Sequence, residues 1–331
     1  MTVKPNSDML ITIFGGSGFL GRHVVRALAR RQYRIRVAVR RPELCGHLQP
    51  LGRVGQIQAV QANVRHRPSV ASAVAGSDVV INLVGILFES GRQRFDLVQA
   101  TGAEGVALAA AAHGARMIHI SAIGADENSS AAYARAKRHG EKLVLAASPA
   151  ATIFRPSIMF GPNDDFFNRF AGIAGLSPVL PLIGGGHTRF QPVFAGDVAE
   201  AIAKAVEGET APGAIYELGG PDVFTFKELM EFILATIGRH RLLMPVPFPL
   251  AKLQAMGFEL LSKVPLPFLA KPLLTRDQVE LLRRDNVVSE EARRDGLTLD
   301  GLGITPHPVG EIVPTYLWRF RTAGQFHNRV A

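Results

Sequence analysis

Short apolar runs alternate with longer amphipathic stretches through the first half of the chain. Each run predicts a parallel strand buried on both faces, and together they cover 9–14, 34–39, 56–60, 78–84 and 116–121. The stretches between them have helical spacing, most clearly 22–31 and the alanine-rich 95–113. This repeated strand–helix order predicts an α/β fold, a Rossmann-type doubly wound parallel sheet with right-handed crossovers.

The rhythm changes after Pro162, where loops, short strands and helices replace the regular alternation. A chain of 331 residues is long for one simple domain. We therefore expect a dinucleotide-sized domain at 9–162 and a mixed, smaller C-terminal capping lobe at 163–331. The stretch at about 190–222 is expected to return partly to the sheet.

Residues 244–274 contain proline-punctuated apolar segments around a predicted helix at 251–261, with Lys252, Lys263 and Lys271 interspersed. Two interpretations stay open. The segment either packs on the sheet or lines a pocket, as most apolar segments do, or it forms an apolar, basic surface that docks on a membrane or a membrane-protein partner.

Composition narrows the partners. The chain is 47% hydrophobic and 20% charged, an ordinary globular balance. Its formal net charge of +9 favours an acidic partner, such as a polyanionic cofactor, an anionic membrane surface or an acidic protein. Nucleic acid is not expected, because neither zinc-finger spacing nor an aromatic-basic repeat occurs. One cysteine, Cys45, and ten scattered histidines predict neither a disulfide nor a metal site.

The start of the sequence lacks the apolar core of a signal peptide, and no run of eighteen apolar residues predicts a spanning helix. We therefore expect a cytoplasmic protein.

A glycine-rich loop, Gly15-Gly16-Ser17-Gly18-Phe19-Leu20-Gly21, joins the first predicted strand to the first predicted helix. In such a loop the first glycines permit a tight turn, Gly18 lets a pyrophosphate approach the backbone, and Gly21 lets helix and strand pack closely. The amides at the helix start and the helix dipole then hold the phosphates. This context predicts a dinucleotide site.

The second predicted strand ends in Arg40 and Arg41, where an NAD-binding unit would carry an acidic residue for the ribose hydroxyls. An arginine pairs bidentately with a 2′-phosphate, which a carboxylate would repel. The sequence therefore favours NADP(H) over NAD(H). The alternative is that both arginines are solvated loop charges.

Tyr133 and Lys137 lie four residues apart on the helix predicted after the fifth strand, so they share one helical face. The Lys137 ammonium is expected to lower the pKa of the Tyr133 phenol and to hydrogen-bond the nicotinamide ribose. Tyr133 would then transfer a proton as a hydride moves. The alternative is an ordinary surface pair.

These motifs resemble the extended and atypical branches of the short-chain dehydrogenase/reductase superfamily. The stretches GGSGFLGRHVV, INLVGIL, HISAIGAD, YARAKRHGEK and IFRPSIMFGPNDDFFNRF are similar to those of the NADPH-binding accessory subunits of respiratory complex I and their bacterial relatives. The resemblance implies that the glycine loop and Arg40 contact the adenosine phosphates. It also implies that Asn63 and Val64 lie near the adenine, and that the ribose and nicotinamide half is lined by Leu83, Val84, Gly85, Ser121, Tyr133, Lys137 and Pro156.

The sequence departs from the active extended members at two places. Ser121 is followed by Ala122-Ile123-Gly124, which would place its hydroxyl one turn too early and leave Ser129 or Ser130 to substitute. Phe160 stands where a tyrosine is common. The cofactor site is therefore expected to be more intact than the chemical site.

Two functions follow from the resemblance. The first is an accessory or assembly component of complex I, peripheral on the inner face of the energy-transducing membrane, with NADPH as a structural element. The second is an NADP-dependent oxidoreductase, or a protein linked to ubiquinone biosynthesis, acting on a quinone-like or hydrophobic carbonyl substrate.

Overall fold

The computed structural model describes residues 4–261, 274–322 and 324. Its main strands are β1 (Leu10–Phe14), β2 (Arg34–Val39), β3 (Ile57–Gln61), β4 (Val79–Asn82), β5 (Arg116–Ile120) and β6 (Thr152–Pro156). Shorter strands follow: β7 (Met159–Phe160), β8 (Val179–Ile183), β9 (Arg189–Phe190), β10 (Val193–Phe194), β11 (Ile215–Leu218), β12 (Phe224–Thr225) and β13 (Leu242–Val246).

Seven of these strands form one parallel sheet in the order β11-β6-β5-β4-β1-β2-β3. Strand order reverses beside β1, so a crevice opens at the carboxyl ends of β1 and β4, the usual ligand position in such sheets. The predicted Rossmann-type parallel sheet is confirmed.

The helices of the first half are α1 (Phe19–Arg30), α2 (Arg67–Val74), α3 (Thr101–Ala112) and α4 (Ala132–Ala147). Those that follow are α5 (Phe167–Leu176), α6 (Ala195–Glu207), α7 (Phe226–Ile237), α8 (Phe248–Leu261), α9 (Arg276–Leu281), α10 (Glu290–Arg294), α11 (Val309–Ile312) and α12 (Pro314–Leu317). No helix of the described residues is long and apolar enough to cross a membrane.

Helices cover both faces of the sheet. Helices α1 and α6 pack together on one face, and α2, α3 and α4 pack on the other. The central strands are buried on both sides, which explains why they read as continuous apolar runs rather than as alternating ones. Both β11, an edge strand of the sheet, and α6, which covers one face, come from beyond Pro162. The later part of the chain therefore completes the sheet and its helical cover.

A second core, rich in phenylalanine, joins α5, α7 and the C-terminal helices. Tyr316 in α12 donates a hydrogen bond to the buried carboxylate of Asp164, which also accepts the amides of Gly161 and Asn168. This contact ties the last described helices to the loop after β7.

Three predicted boundaries change in the structure. Helix α1 begins at Phe19, inside the glycine loop, rather than at residue 22. The strand predicted at 78–84 ends at Asn82, and Leu83 to Gly85 form part of a pocket. The long helix predicted at 95–113 is a π-helical turn, Asp96–Ala100, followed by α3.

The apolar segment predicted at 244–274 lies only partly within the described residues. Strand β13 and helix α8 account for its first part, and Lys252 of α8 pairs with Glu280 of α9. Lys263 and Lys271 lie outside the described residues.

Candidate functional site

A cavity of about 290 Å³ opens where the carboxyl ends of β1, β2, β3 and β4 meet. Its walls come from the glycine loop and from the residues that follow β2, β3 and β4. The lining consists of Phe14, Gly15, Ser17, Gly18, Ala38, Val39, Arg40, Ala62, Asn63, Val64, Arg65, Leu83, Val84, Gly85, Ile86, Gln93 and Val98.

The glycine loop has the geometry that a bound pyrophosphate needs. Gly15 adopts φ +80°, which only glycine adopts without strain, and its carbonyl accepts the amide of Gly18 at 3.0 Å. A Cβ on Gly21 would lie 2.5 Å from the carbonyl carbon and oxygen of Gly16, so only glycine fits there. Gly18 precedes α1, and no side chain of the described residues caps this helix. The first-turn amides are therefore available to an anion.

Arginines concentrate at the end of the cavity beside β2 and β3. Arg40 and Arg65 follow β2 and β3, which are neighbours in the sheet, and both side chains are exposed. Neither Asp nor Glu is among the lining residues that the structure describes. This end can bind a dianion without repulsion.

Gly85 joins the cavity to the residues proposed for chemistry. A Cβ on Gly85 would lie 3.5 Å from Lys137 Nζ and 3.9 Å from Gln99 Oε1. Gln99 lies in the π-helical turn and is buried, and its Nε2 donates to the Ile86 carbonyl at 3.3 Å. The backbone of Gln99 also approaches α4 so closely that a Cβ on Gly140 would lie 2.1 Å from its carbonyl oxygen.

Lys137 is buried close to Gly85, and its ammonium donates to the Ile120 carbonyl at 3.0 Å. Burial lowers the pKa of Lys137 to about 8, although the nearby Glu141 carboxylate acts in the opposite direction. Beside it, burial and the Lys137 charge lower the pKa of His119 to about 3, so His119 is neutral. Its Nδ1 lies 3.3 Å from Asn82 Nδ2.

Tyr133 and Lys137 share a face of α4, and Lys137 Nζ lies 5.9 Å from the centre of the Tyr133 ring. The expected lowering of the Tyr133 pKa is wrong for this structure. Burial of the phenol and the charge of Asp277 raise the pKa of Tyr133 to about 12, because the Lys137 ammonium is directed to the Ile120 carbonyl. Phe95 packs edge-on against the Tyr133 ring at 5.8 Å.

Asp277 reaches this site from α9. Its two carboxylate oxygens accept the amides of Ala132 at 2.6 Å and Tyr133 at 3.0 Å. Ala131, the residue that precedes α4, has no hydrogen-bonding side chain, so the C-terminal part of the chain supplies the cap. Burial raises the pKa of Asp277 despite these two hydrogen bonds.

Ser121 follows β5 and is buried, and its hydroxyl has no hydrogen-bond partner among the described residues. Burial alone would raise the pKa of Glu141, but two hydrogen bonds from Arg155, at 2.8 and 2.7 Å, hold it below its usual range, with Arg138 contributing. Ser129 accepts the Ala131 amide and Ser130 donates to Glu280, so each has a local structural contact.

The cavity brings together about half of the predicted site. Nine predicted residues line it: Gly15, Ser17, Gly18, Arg40, Asn63, Val64, Leu83, Val84 and Gly85. Nine others lie outside the lining: Gly16, Phe19, Leu20, Gly21, Arg41, Ser121, Tyr133, Lys137 and Pro156. Arg41 is exposed in the loop after β2.

Sequence reasoning missed Arg65, Gln93 and Gln99. Arg65 follows a predicted strand, so its position at the carboxyl edge could have been inferred. Gln93 and Gln99 carry no pattern, because one lies in a turn and the other in a π-helical turn inside a predicted helix. Among the described residues, no group of His, Cys, Asp and Glu side chains could hold a metal ion.

The chain is similar in sequence to proteins of known name. Over 323 residues the chain is 36% identical to NADH dehydrogenase [ubiquinone] 1 alpha subcomplex subunit 9 of Arabidopsis thaliana mitochondria, covering 96% of this chain and 79% of that protein. It is 34% identical over 243 residues to a ceramide reductase of Caulobacter vibrioides, covering 72% and 74%.

A solved structure shares the fold. The NADPH-dependent quinone oxidoreductase QOR2 of Escherichia coli, complexed with NADPH, superposes with a TM-score of 0.69 at 20% identity, over 93% of this chain and 99% of that one. The model of the NAD dependent epimerase/dehydratase family matches residues 11–219, which include the glycine loop, the cavity and α4. With the glycine loop, the crevice and this match in agreement, the chain belongs to the NAD dependent epimerase/dehydratase family.

Proposed function

We propose that this protein is an NADP(H)-holding accessory or assembly component of respiratory complex I, the NADH:ubiquinone oxidoreductase, peripheral on the inner face of the energy-transducing membrane. The relatives named as alpha subcomplex subunit 9 support this partner, since the similarity extends over almost the whole chain. The accessible glycine loop and the buried Ser121 and Lys137 support a binding role.

The choice of NADP(H) rests on the adenosine end of the cavity. Arg40 and Arg65 converge there, and its described lining has no carboxylate to accept ribose hydroxyls. A guanidinium forms charge-assisted, bidentate hydrogen bonds with phosphate, and these favour the nucleotide that carries a 2′-phosphate. The glycine loop and the start of α1 would hold the pyrophosphate.

The difference between the two ends of the site carries the proposal. The glycine loop, Arg40 and Arg65 line the cavity, whereas Ser121 and Lys137 are buried, and Phe95 packs edge-on against the partly exposed Tyr133. A phenol with a pKa of about 12 is a poor proton donor near neutral pH, because efficient acid–base groups titrate near the working pH. The site is better suited to holding a nucleotide than to turning over a substrate.

An apolar face in the C-terminal part supports docking to a large partner. Strand β13 and helix α8 expose several large apolar side chains beside a groove of about 540 Å³. The exposed residues are Leu242, Met244, Leu250, Leu253 and Met256. Contiguous exposed apolar surface commonly marks a protein or membrane contact, and the net charge of +9 suits an anionic membrane surface next to such a partner.

Native electrophoresis of mildly solubilised host membranes tests the partner. The proposal predicts that the chain co-migrates with complex I and that substituting Leu253 and Met256 with Ser reduces this fraction. A matched control substitutes Leu44 and Val54, which are exposed elsewhere. A chain found only as a small free species would contradict the proposal.

An NADP-dependent oxidoreductase acting on a quinone-like or other hydrophobic carbonyl compound is the second candidate. The Tyr133/Lys137 pair and the similarity to a ceramide reductase favour it.

Tyr133→Phe separates the two functions. An oxidoreductase would lose turnover of quinones or hydrophobic ketones by roughly a hundredfold or more, since proton transfer commonly contributes this much. Wild-type protein that turns over none of these compounds would leave the accessory role as the function. Nucleotide affinity, measured in parallel, is expected to change little.

A further inference from the structure

A short turn crosses the adenosine end of the cavity. Ser90 and Gln93 form an antiparallel bridge in which each amide donates to the other's carbonyl, at 3.1 and 2.9 Å. Gly91 within it adopts φ +54°. The Phe95 amide donates to the Glu89 carboxylate at 2.8 Å, which fixes where the chain leaves the turn. Gln93 lines the cavity itself.

Two arginines from different elements hold this turn. Arg40, after β2, donates through Nη1 to Gln93 Oε1 at 3.1 Å. Arg65, after β3, donates through Nη1 to the Arg92 carbonyl at 2.7 Å. A guanidinium has five N–H donors in a fixed plane, so each arginine can hold the turn and still present other donors to the cavity.

Arg40 and Arg65 concentrate positive charge at one end of the cavity. Arg40 and Arg65 lie on neighbouring loops at one end of a cavity whose described lining contains no acidic residue. Two like charges on converging loops repel each other, and a dianionic group between them would replace that repulsion with two charge-assisted pairs.

We propose that Arg65 is a second specificity-determining residue for the adenosine 2′-phosphate, and that the Ser90–Gln93 turn is a strap that slows nucleotide release. Each arginine then hydrogen-bonds both the phosphate and the turn. Phosphate binding therefore stabilises the closed strap, and the closed strap stabilises the bound phosphate. This inference rests on the proposed NADP(H) function, and it adds a residue and a kinetic device to that site.

Arg65→Gln tests the phosphate contact. NADP⁺ and NAD⁺ affinities are measured by calorimetry on the full chain, with Arg53→Gln as the control because Arg53 is exposed near the opposite end of β3. We expect Arg65→Gln to weaken NADP⁺ binding roughly ten- to hundredfold. NAD⁺ should lose clearly less affinity, since only the loosened strap affects it, and the control should be unchanged. Arg65→Lys should be intermediate, since lysine keeps the charge and loses the planar fork.

Gln93→Ala tests the strap, because it removes the acceptor for Arg40 while leaving both arginines. The release rate of bound NADPH, followed by its fluorescence after a chase with excess NADP⁺, should rise roughly tenfold. An unchanged release rate would overturn the strap.

The outcomes separate this inference from the proposed function. A wild-type chain that binds NAD⁺ as tightly as NADP⁺ overturns both. A wild-type preference for NADP⁺ that Arg40→Gln abolishes and Arg65→Gln leaves intact overturns the role of Arg65 alone. Equal losses for NAD⁺ and NADP⁺ in Arg65→Gln would assign Arg65 a structural role and also overturn it.

Discussion

The two ends of the candidate site are built in opposite ways. At one end, a glycine loop that leads into a helix with no side-chain cap among the described residues, and two exposed arginines, border an open cavity. At the end proposed for chemistry, Lys137, Ser121 and His119 are buried. There Lys137 donates to a backbone carbonyl, Phe95 packs against Tyr133, and Asp277 caps α4.

The difference shows that the Tyr133/Lys137 pair lies in a different environment from the glycine loop. Accessible polar groups can stabilise a bound ligand, because they exchange hydrogen bonds to water for hydrogen bonds to a charged partner. At the buried end Lys137 already donates to a backbone carbonyl, whereas Ser121 Oγ, His119 Nε2 and Gln99 Oε1 have no hydrogen-bond partner among the described residues. Burial raises the pKa of Tyr133 and lowers that of Lys137. The same motif therefore has different consequences at the two ends.

Gly21→Ala should break the phosphate end most severely. A methyl group there would overlap the Gly16 carbonyl, so the loop or α1 must move. Overpacking of this kind costs about 1–3 kcal/mol of stability, and the displaced amides should weaken nucleotide binding at least about tenfold. Gly46→Ala is the control, since a Cβ there meets nothing within 4 Å. Equal nucleotide affinity in the two variants, measured by fluorescence titration, would remove the loop from the site.

Arg40→Asp should change nucleotide preference without destroying the site. It replaces a phosphate partner with a group that repels phosphate and accepts ribose hydroxyls, so NADPH affinity should fall roughly a hundredfold while NADH affinity holds or improves. Calorimetric titration with both nucleotides measures this. Unchanged NADPH affinity would contradict the assignment of NADP(H).

Asp277→Asn should act on the buried end alone. The carboxylate raises the pKa of Tyr133, so removing its charge should lower that pKa below about 12. An asparagine accepts with only one oxygen, and the weaker cap should cost about 1 kcal/mol of stability. Ultraviolet difference titration, with Tyr133→Phe subtracted as background, detects the phenol. A Tyr133 pKa that stays the same or rises would contradict the geometry of this contact.

The smallest expected effect is a loss of unfolding free energy at mildly acid pH, which arises from the buried His119. Because burial lowers the folded-state pKa of His119 to about 3, the unfolded chain binds the proton more tightly. The stabilisation is fully present above the ordinary pKa of 6.5 and is lost as the pH falls towards 3, by about 1.4 kcal/mol per pH unit. The pKa of His23 is also lowered, to about 4, so His23 contributes a similar pH dependence that remains in the His119 variant.

His119→Gln should reduce this slope of unfolding free energy between pH 6.5 and 5, as measured by urea unfolding. The exposed His47 offers the control, because His47→Gln should leave the slope unchanged. An identical slope in all three proteins would show that His119 is not buried in its neutral form.

The fold and the open end of the site were predictable because their signals are local. Apolar runs specify buried parallel strands, and the glycine spacing specifies the turn into α1, and Gly15, Gly18 and Arg40 line the cavity. Parallel strands deliver the residues after them to one edge, where Leu83 lies, and the family resemblance indicated Asn63 and Val64, which line the same cavity.

The buried end could not be predicted, because distant segments determine it. Asp277 lies 144 residues after Tyr133, and nothing near α4 in sequence indicates that α9 caps it. The π-helical turn that buries Gln99 also depends on close packing against Gly140 of α4. The environment of Tyr133, and hence the direction of its pKa shift, is a tertiary property.

The nucleotide content of the protein recovered within its native assembly tests the central claim most directly. Complex I is isolated by native electrophoresis, the band is denatured, and the released nucleotides are quantified against the amount of this chain. The account predicts about one NADP(H) per chain, reduced by Arg40→Asp and retained in Tyr133→Phe. NAD(H) in its place, or a co-migrating chain that releases no nucleotide, would contradict it.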